Sequence, residues 1–292
     1  MISFEPKDLP TGKLHGYLLG SVSPRPICFA STVDASGNVN LSPYSFFNVF
    51  SARPPILIFS PARRGRNNTT KHTLENVLET KEVVINIVSY SMVQQMSLAS
   101  TEYAKGVNEF QKAGFTEVAS EKVRAPRVLE APVQLECKVN EVISLGEEGG
   151  AGNLVICEVV MMHLNEEILD DQQIIDPRKI DTVSRLGGNW YSRAVSGLFE
   201  VEKPLKKLGM GVDSLPEEIR HSNILTGNDL GMLGNVESFP SEEKIKAFTE
   251  NADETQLYAI TSGSVDDLHL AAQQLLKQGS VLEAWKLLLA KR

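Results

Sequence analysis

No apolar run in this chain approaches the 18 residues that a membrane-crossing helix requires. The opening segment MISFEPKDLPTGK carries Glu5, Lys7 and Asp8 where a secretory signal needs uninterrupted apolar residues, so no signal peptide is expected there. Cysteine is scarce: Cys28, Cys137 and Cys157 are three, an odd number, each among apolar or β-prone neighbours. They read as buried reduced thiols, not as a disulfide framework, and the expected compartment is the cytoplasm. The five histidines (His15, His72, His163, His221, His269) show no HxH or HExxH spacing, and no cysteine pair stands at zinc-finger intervals, so no metal site is expected. No GxGxxG fingerprint follows a strand-like run, which argues against a Rossmann dinucleotide fold. No GxSxG elbow supports a hydrolase triad. A basic balance is also missing: with 37 acidic against 29 basic residues and a net charge of −8, nucleic acid is not an expected partner.

The acidity is uneven. Between Ala35 and Leu74 there is no aspartate or glutamate, although the chain average, 37 in 292 residues, would place several there. The same stretch carries Arg53, Arg63, Arg64, Arg66 and Lys71 among many Ser, Asn and Thr residues. Cations without local counter-ions, surrounded by hydroxyls and amides, suit an anion that is not part of the protein. Phosphate fits well, because guanidinium, ammonium, hydroxyl and backbone N–H groups all donate to its oxygens. A solvated basic loop is an equally good reading of the charge alone.

Along the chain, Lys13–Gly20 has helical apolar spacing and ends at glycine. Strand-like runs follow at Pro26–Val33, Val39–Phe50 and Ile56–Ser60, with turn chemistry in Asp34–Asn38 and a break at Arg53-Pro54-Pro55. Thr73, followed by Glu75 and Asn76, predicts an N-cap opening a short helix through Glu79. Val83–Val88 is a fully apolar strand, and Ser91–Ser100 a Met-containing helix. Long strands at Val133–Leu145 and Leu154–Leu164 flank the glycine-rich Gly146–Gly152. Glu147 and Glu148 would repel an anion there, so that segment reads as a hairpin turn and not as a phosphate loop. Many strands joined by turns, with only short helices between, predict a mainly β fold built on an antiparallel barrel with flanking helices. Composition shifts near Ala194. The chain therefore divides into residues 1–195, a barrel domain, and residues 196–292, a helical extension with helices at Ser241–Asn251 and Val265–Leu289. In the second of these, Leu268, Leu275, Leu276, Leu282, Trp285 and Leu289 form a wide stripe expected to be buried. No motif assigns the extension a role.

Several short motifs in order carry a resemblance. They are Ser23-Pro24-Arg25-Pro26-Ile27, Ser31-Thr32-Val33-Asp34, Leu41-Ser42-Pro43-Tyr44-Ser45-Phe46-Phe47-Asn48, Arg53-Pro54-Pro55, Ser60-Pro61 with Arg63-Arg64, Lys71-His72-Thr73 with Asn76, and Arg185-Leu186-Gly187-Gly188-Asn189-Trp190-Tyr191. No one of them is specific, but their order and spacing over two-thirds of the chain resemble the flavin reductase-like proteins with an FMN-binding split barrel, flavoredoxin-like proteins among them. The family commonly shows Lys-Asp-Thr where this chain has Lys71-His72-Thr73. The resemblance implies a six-stranded split barrel, a homodimer, and FMN in a groove near the subunit interface. It also implies NADH or NADPH as co-substrate and an oxygenase or other electron acceptor downstream. No protein residue is then required as a catalytic group, because flavin N5 exchanges the hydride.

On this resemblance Arg63, Arg64, Lys71 and Thr73 are expected to hold the phosphate, helped by the helix N-terminus at Thr73. Ser31, Thr32, Ser45, Phe47 and Asn48 are expected to line ribityl and ring, and Arg25 and Tyr191 to approach the flavin. The residues alone leave other readings open. Phe46, Phe47 and Phe50 suit a core, Ser45 and Asn48 a barrel bulge, Arg25 a clamp on the N-terminal segment, and Tyr191 a core position.

Overall fold

The computed structural model describes residues 1–205 and 208–290, in two compact units, Met1–Phe199 and Glu200–Arg292. The first unit opens with helix α1 (Thr11–Ser21) and strands β1 (Cys28–Val33), β2 (Val39–Tyr44), β3 (Phe47–Ala52) and β4 (Pro55–Phe59). Helix α2 (His72–Thr80), β5 (Glu82–Ile87), α3 (Val93–Leu98), α4 (Glu109–Ala113) and the short pair β6 (Glu117–Val118) and β7 (Arg127–Val128) follow. The long strands β8 (Val133–Ser144) and β9 (Asn153–Leu164), α5 (Pro177–Ile180) and the hairpin β10 (Val183–Arg185) with β11 (Tyr191–Arg193) complete it.

Seven strands form one antiparallel sheet in the order β2-β1-β5-β8-β9-β4-β3. Its two edge strands, β2 and β3, are consecutive in the chain and joined only by Ser45 and Phe46. Laid flat, seven strands would separate those edges by roughly 29 Å. Three Cα steps from Tyr44 to Phe47 span at most about 11 Å. The sheet is therefore rolled into a barrel whose seam, between β2 and β3, carries no strand pairing. That is the split barrel, with seven strands where the resemblance implies six. The additional strand arises because Val39–Phe50 is two strands: the chain turns at Ser45-Phe46 to pass from one edge of the sheet to the other.

Alternate residues of the strands fill the interior, as a period of two requires: Cys28 and Ala30, Leu57 and Phe59, Val83 and Ile85, Val133, Leu135, Cys137 and Val139, Val155 and Cys157. Helix α2 adds Leu74 and Val77 to this core. The three cysteines are buried free thiols. Outside the barrel wall a second cluster gathers Phe29, Leu41, Met92, Met96, Phe110 and Phe115.

Two local expectations are corrected here. Thr73 is not the N-cap of α2: Lys71 occupies that position without a side-chain capping bond, and Thr73 lies inside the first turn, fully buried. The Ser91–Ser100 helix is a 3₁₀ turn, Tyr90–Met92, leading into the shorter α3.

The second unit is helical: α6 (Glu217–Arg220), α7 (Gly227–Gly234), α8 (Glu242–Glu250), α9 (Glu254–Thr261), α10 (Val265–Lys277) and α11 (Val281–Leu289). Its core holds Leu233, Leu268, Ala272, Leu276, Trp285, Leu287 and Leu288. The Trp285 indole donates to the Leu233 carbonyl at 3.0 Å. The span Val265–Leu289 is two helices and not one, because the chain bends at Gly279, whose φ of +78° glycine adopts without penalty. After that bend Leu282 faces outward, 57% exposed, while Leu268, Leu276 and Trp285 stay inside. None of the described helices is long and apolar enough to cross a membrane.

Candidate functional site

The barrel seam opens onto a pocket of about 840 Å³. Its floor is the seam itself, Tyr44, Ser45, Phe46 and Ser60, and Phe46 is held by a continuation of the β3–β4 pairing in which the Ser60 N–H donates to its carbonyl at 2.8 Å. One side is α1, through Thr11, Gly12, His15 and Leu19. The other side is the end of α3 and the chain beyond it, through Met96, Ser97, Ser100 and Glu102. The β10–β11 hairpin contributes Arg185 and Tyr191. The acid-free stretch supplies Arg63, Arg64, Gly65, Arg66 and Lys71.

Most of those cations are engaged by the protein. The Arg63 guanidinium donates to Asn68 Oδ1 at 2.6 Å and to the Asn68 carbonyl at 2.7 Å. The Arg64 guanidinium donates to Thr69 Oγ1 and to the Thr70 carbonyl. Arg66 pairs with Glu102 at 2.6 Å, and Arg64 Nε lies 3.7 Å from the same carboxylate. The counter-ion missing from Ala35–Leu74 thus comes from beyond α3. The glycine-rich turn Gly146–Gly152 is a hairpin turn, as expected, and it also braces this loop. The Arg63 N–H donates to the Ala151 carbonyl, the Gly150 N–H donates to the Arg63 carbonyl, and Asn68 Nδ2 donates to the Glu147 carbonyl. A Cβ at Gly149 would sit 3.1 Å from the Gly65 backbone, so the two loops meet at van der Waals distance only because glycine stands there.

Lys71 differs from its neighbours. Among the described residues its ammonium has no hydrogen-bond or ion-pair partner, although it is half-buried. Burial, and then the Arg64 charge, hold its pKa below the ordinary lysine value, against the pull of Glu102. A desolvated cation with no partner is stabilised by an incoming anion more than an exposed one is. His72, beside it, is also pushed below the ordinary histidine value, chiefly by burial. Together with Asn40, Ser42, Tyr44 and Glu109, His72 and Lys71 line a second cavity of about 20 Å³.

Of the eleven residues expected at the site, five line the pocket: Ser45, Arg63, Arg64, Lys71 and Tyr191. The structure does not bring the other six there. The Arg25 guanidinium donates to the carbonyls of Leu19, Val22 and Leu186 and clamps α1 to the hairpin; its Nε reaches Ser45 Oγ at 3.4 Å. Thr32 is buried and accepts from Asn76 Nδ2 at 3.0 Å. Ser31, on the opposite face of β1, is buried with no hydrogen-bond partner for its hydroxyl among the described residues. The Thr73 hydroxyl bonds Asn40 Nδ2 and the Tyr44 phenol, each at 2.8 Å. Phe47 packs on the barrel core, and Asn48 is exposed with its side chain bonded to the Val49 N–H.

Residues that sequence reasoning passed over include His15 and Leu19 of α1, Ser60, Ser97, Ser100 and Glu102. For α1 a signal existed: a helix containing Leu14, Tyr17, Leu18 and Leu19 that buries none of its residues completely has an apolar surface without a protein core beneath it. The His15 ring meets Phe46 edge-on at 6.3 Å between centroids, so that helix and seam share one wall.

Residues 19–184 match the flavin reductase like domain family, more than half of the chain, and the protein belongs to that family. It is 37% identical over 193 residues to an uncharacterized protein of Aquifex aeolicus, covering 66% of this chain and 96% of that one. Nitrilotriacetate monooxygenase component B from Bacillus cereus superposes with a TM-score of 0.65 at 30% identity, over 69% of this chain and 98% of that one. Pseudomonas fluorescens 2-nitrobenzoate 2-nitroreductase NbaA gives 0.63 at 26% identity, over 72% and 100%. The family match ends at residue 184, so Glu200–Arg292 lies outside it.

Proposed function

We propose that the protein is an FMN-dependent oxidoreductase in which NADH or NADPH delivers a hydride to bound FMN. The observation that carries this reading is the unpartnered, half-buried Lys71 ammonium in a pocket whose other walls are aromatic and hydroxyl-bearing. The pocket volume of about 840 Å³ lies within the range of clefts that enclose cofactor-sized ligands. The donor set also fits: a mononucleotide needs cation and N–H donors for a phosphate, an apolar wall for a flat ring, and hydroxyl-rich surroundings for a polyol. Lys71, with Arg64 behind it, would take the phosphate. Phe46, Met96 and Tyr191 would face the ring, and Ser45, Ser60, Ser97 and Ser100 would serve the polyol. FMN supplies the hydride-accepting chemistry when bound, so no protein nucleophile or acid–base pair is needed. The protein's part is to bind and orient: Lys71 neutralises charge, the α1 and α3 walls limit water, and Arg25 holds α1 against the hairpin.

The reduced flavin would serve an oxygenase or another acceptor, a role consistent with the monooxygenase component among the structural relatives. We also read the protein as a homodimer. The unpaired edge strand β3 exposes Val49 and Phe50, and an open apolar edge of this kind is normally covered.

The test is a visible absorption spectrum of the purified protein, recorded before and after anaerobic addition of NADH and NADPH. Flavin bands that bleach promptly are expected, and the faster nucleotide identifies the preferred donor. Bands that persist would leave a flavin carrier reduced by another protein. A protein that takes up no flavin even from added FMN would overturn the reading.

A further inference from the structure

The pocket carries cations on two separate elements, and a single phosphate accounts for only one of them. The first is the loop that ends at Lys71. The second is the β10–β11 hairpin, which presents Arg185. Among the described residues the Arg185 guanidinium has no hydrogen bond or ion pair; it lies over the Tyr191 ring, 4.6 Å from the centroid. That stacking fixes the plane of the guanidinium while leaving its N–H groups free to donate.

The backbone sets Arg185 opposite a second arginine. Arg25 and Arg185 form an antiparallel bridge, each N–H donating to the other's carbonyl at 2.9 Å. Two like charges directly opposite on such a bridge repel. The Arg25 guanidinium is stabilised by three carbonyl oxygens, whereas Arg185 has no comparable set. Glu102, the one carboxylate among the described lining residues, pairs with Arg66 on the other element. No carboxylate among the described lining residues is left for Arg185, so its N–H groups are open to an anionic group that enters the pocket.

We propose that Arg185 is the docking cation for the second substrate and holds the diphosphate of the reduced nicotinamide dinucleotide, while Lys71 holds the flavin phosphate. This rests on the reading of the pocket as a flavin site served by a nicotinamide donor, and it adds a division of labour between two cations. Arginine suits the hairpin position because its planar fork engages two phosphate oxygens together, where lysine offers a single point charge. A bound mononucleotide and a dinucleotide that leaves after each turnover are then retained by different elements. The protein can release one without loosening the other.

The test uses the full chain loaded with FMN and compares wild type with Arg185→Gln, Arg185→Lys and Lys71→Ala. Arg185→Gln should raise KM for the preferred dinucleotide about tenfold, the usual scale for one charge-assisted contact. Its kcat and its Kd for FMN should stay within about twofold of wild type. Arg185→Lys should fall between the two, and Lys71→Ala should reverse the pattern, raising the FMN Kd first. The wild-type KM should also rise with ionic strength more steeply than that of Arg185→Gln. A higher FMN Kd with unchanged KM in Arg185→Gln would move Arg185 to the flavin phosphate and overturn the proposal. Unchanged values for both ligands would overturn it as well. A wild type that binds FMN but is not reduced by either dinucleotide would overturn the proposal while leaving the flavin site intact. A wild type that binds no FMN would remove the flavin reading itself.

Discussion

Within Met1–Phe199 the buried polar side chains include Thr32, Asn40, Thr73, Asn76, Asn86, Glu109, Gln134 and Glu136. Within the described residues of Glu200–Arg292, only Asp229 and His269 are both polar and buried. The hydrogen bonds of the first set mostly join segments distant in sequence: Asn40 to Thr73, Asn76 to Thr32, Asn86 to the Phe29 carbonyl, Glu109 to the Leu41 N–H. The helical unit works more locally. Asp229 closes a capping box with Thr226, and Asp253 does the same with Gln256. Burying a polar group costs free energy unless it is bonded, so a fold that tolerates many such groups must cross-link them. The barrel does so, and its pocket walls are positioned by those cross-links. The helical unit relies mainly on caps and an apolar stripe, with few long-range polar bonds among its described residues, those of Gln273 to Asp229 and to the Ile224 carbonyl and that of Trp285 to the Leu233 carbonyl.

That contrast predicts unequal responses to mutation, and Glu136→Ala tests its strongest point. The Glu136 carboxylate accepts from the N–H groups of Glu121, Lys122 and Val123 at 2.9, 2.6 and 3.2 Å and meets His163 Nε2 at 2.7 Å. Burial pushes its pKa up, but the N–H of Glu121, the His163 ring and the N–H of Lys122 outweigh burial and hold it below the ordinary glutamate value. Truncation leaves those donors unpaired and should cost about 3 kcal/mol in urea unfolding. The sign with pH follows from the depressed value: the contribution is complete above the unfolded carboxyl range and is lost as pH falls through the folded pKa. The gap between wild type and variant should therefore close in acid. A gap that stays constant would mean that the carboxylate is not what holds the 121–123 loop.

Lys71→Ala and Thr73→Ala sharpen the comparison inside the barrel unit, because the two residues are separated only by His72 yet differ in role. Lys71 faces the pocket without a partner, so its removal should weaken FMN binding by about 2 kcal/mol and leave unfolding almost unchanged. Thr73 does not line the pocket itself; its hydroxyl bonds Asn40 and the pocket-floor residue Tyr44, so its removal should cost about 2 kcal/mol of stability. FMN affinity in that variant should fall less than in Lys71→Ala. Flavin titration and chemical unfolding of both proteins separate the two effects. Thr226→Ala in the helical unit is expected to do less. Loss of one cap costs about 1 kcal/mol, read as a lower melting midpoint for Glu200–Arg292.

How far the sequence foretold this follows from where each signal resides. The strands β5, β8 and β9 were legible because apolar residues fall on them in runs or alternation that no helix would give, and the hairpin at Gly146–Gly152 because Glu147 and Glu148 exclude an anion loop. The acid-free stretch pointed to Lys71 and to the arginines that do line the pocket. What escaped was the information that depends on register across the fold. Glu102 answers the charges of Arg64 and Arg66 from a different segment. The split between β2 and β3 appears only when the sheet order is known, because Val39–Phe50 is uniformly strand-like. Thr73 carries the chemistry of a cap, but the cap position falls two residues earlier, at Lys71, and the helix turns the Thr73 hydroxyl toward Asn40. A propensity cannot resolve a shift of two residues, and on a helix each residue is about 100° of rotation.

The smallest effect is the most discriminating, because it reverses the usual sign. Glu109 is buried, accepts the Leu41 N–H at 2.9 Å, and has its pKa raised by burial, opposed by the N–H groups of Leu41 and of Glu109 itself. Unlike Glu136, it lacks enough donors to stabilise its charge. In the folded state it therefore holds its proton to higher pH than in the unfolded chain, so stability falls as pH rises from the unfolded carboxyl pKa through the folded one. Glu109→Gln keeps an acceptor for Leu41 and removes the titration. The variant should match wild type in acid and become the more stable protein at neutral pH. The gain should not exceed about 1 kcal/mol, the scale of one net hydrogen bond. Thermal unfolding at several pH values distinguishes the outcomes. A variant less stable than wild type at pH 7 would show that Glu109 is charged and fully satisfied there, and that the barrel unit supports two buried carboxylates by cross-linking and not one.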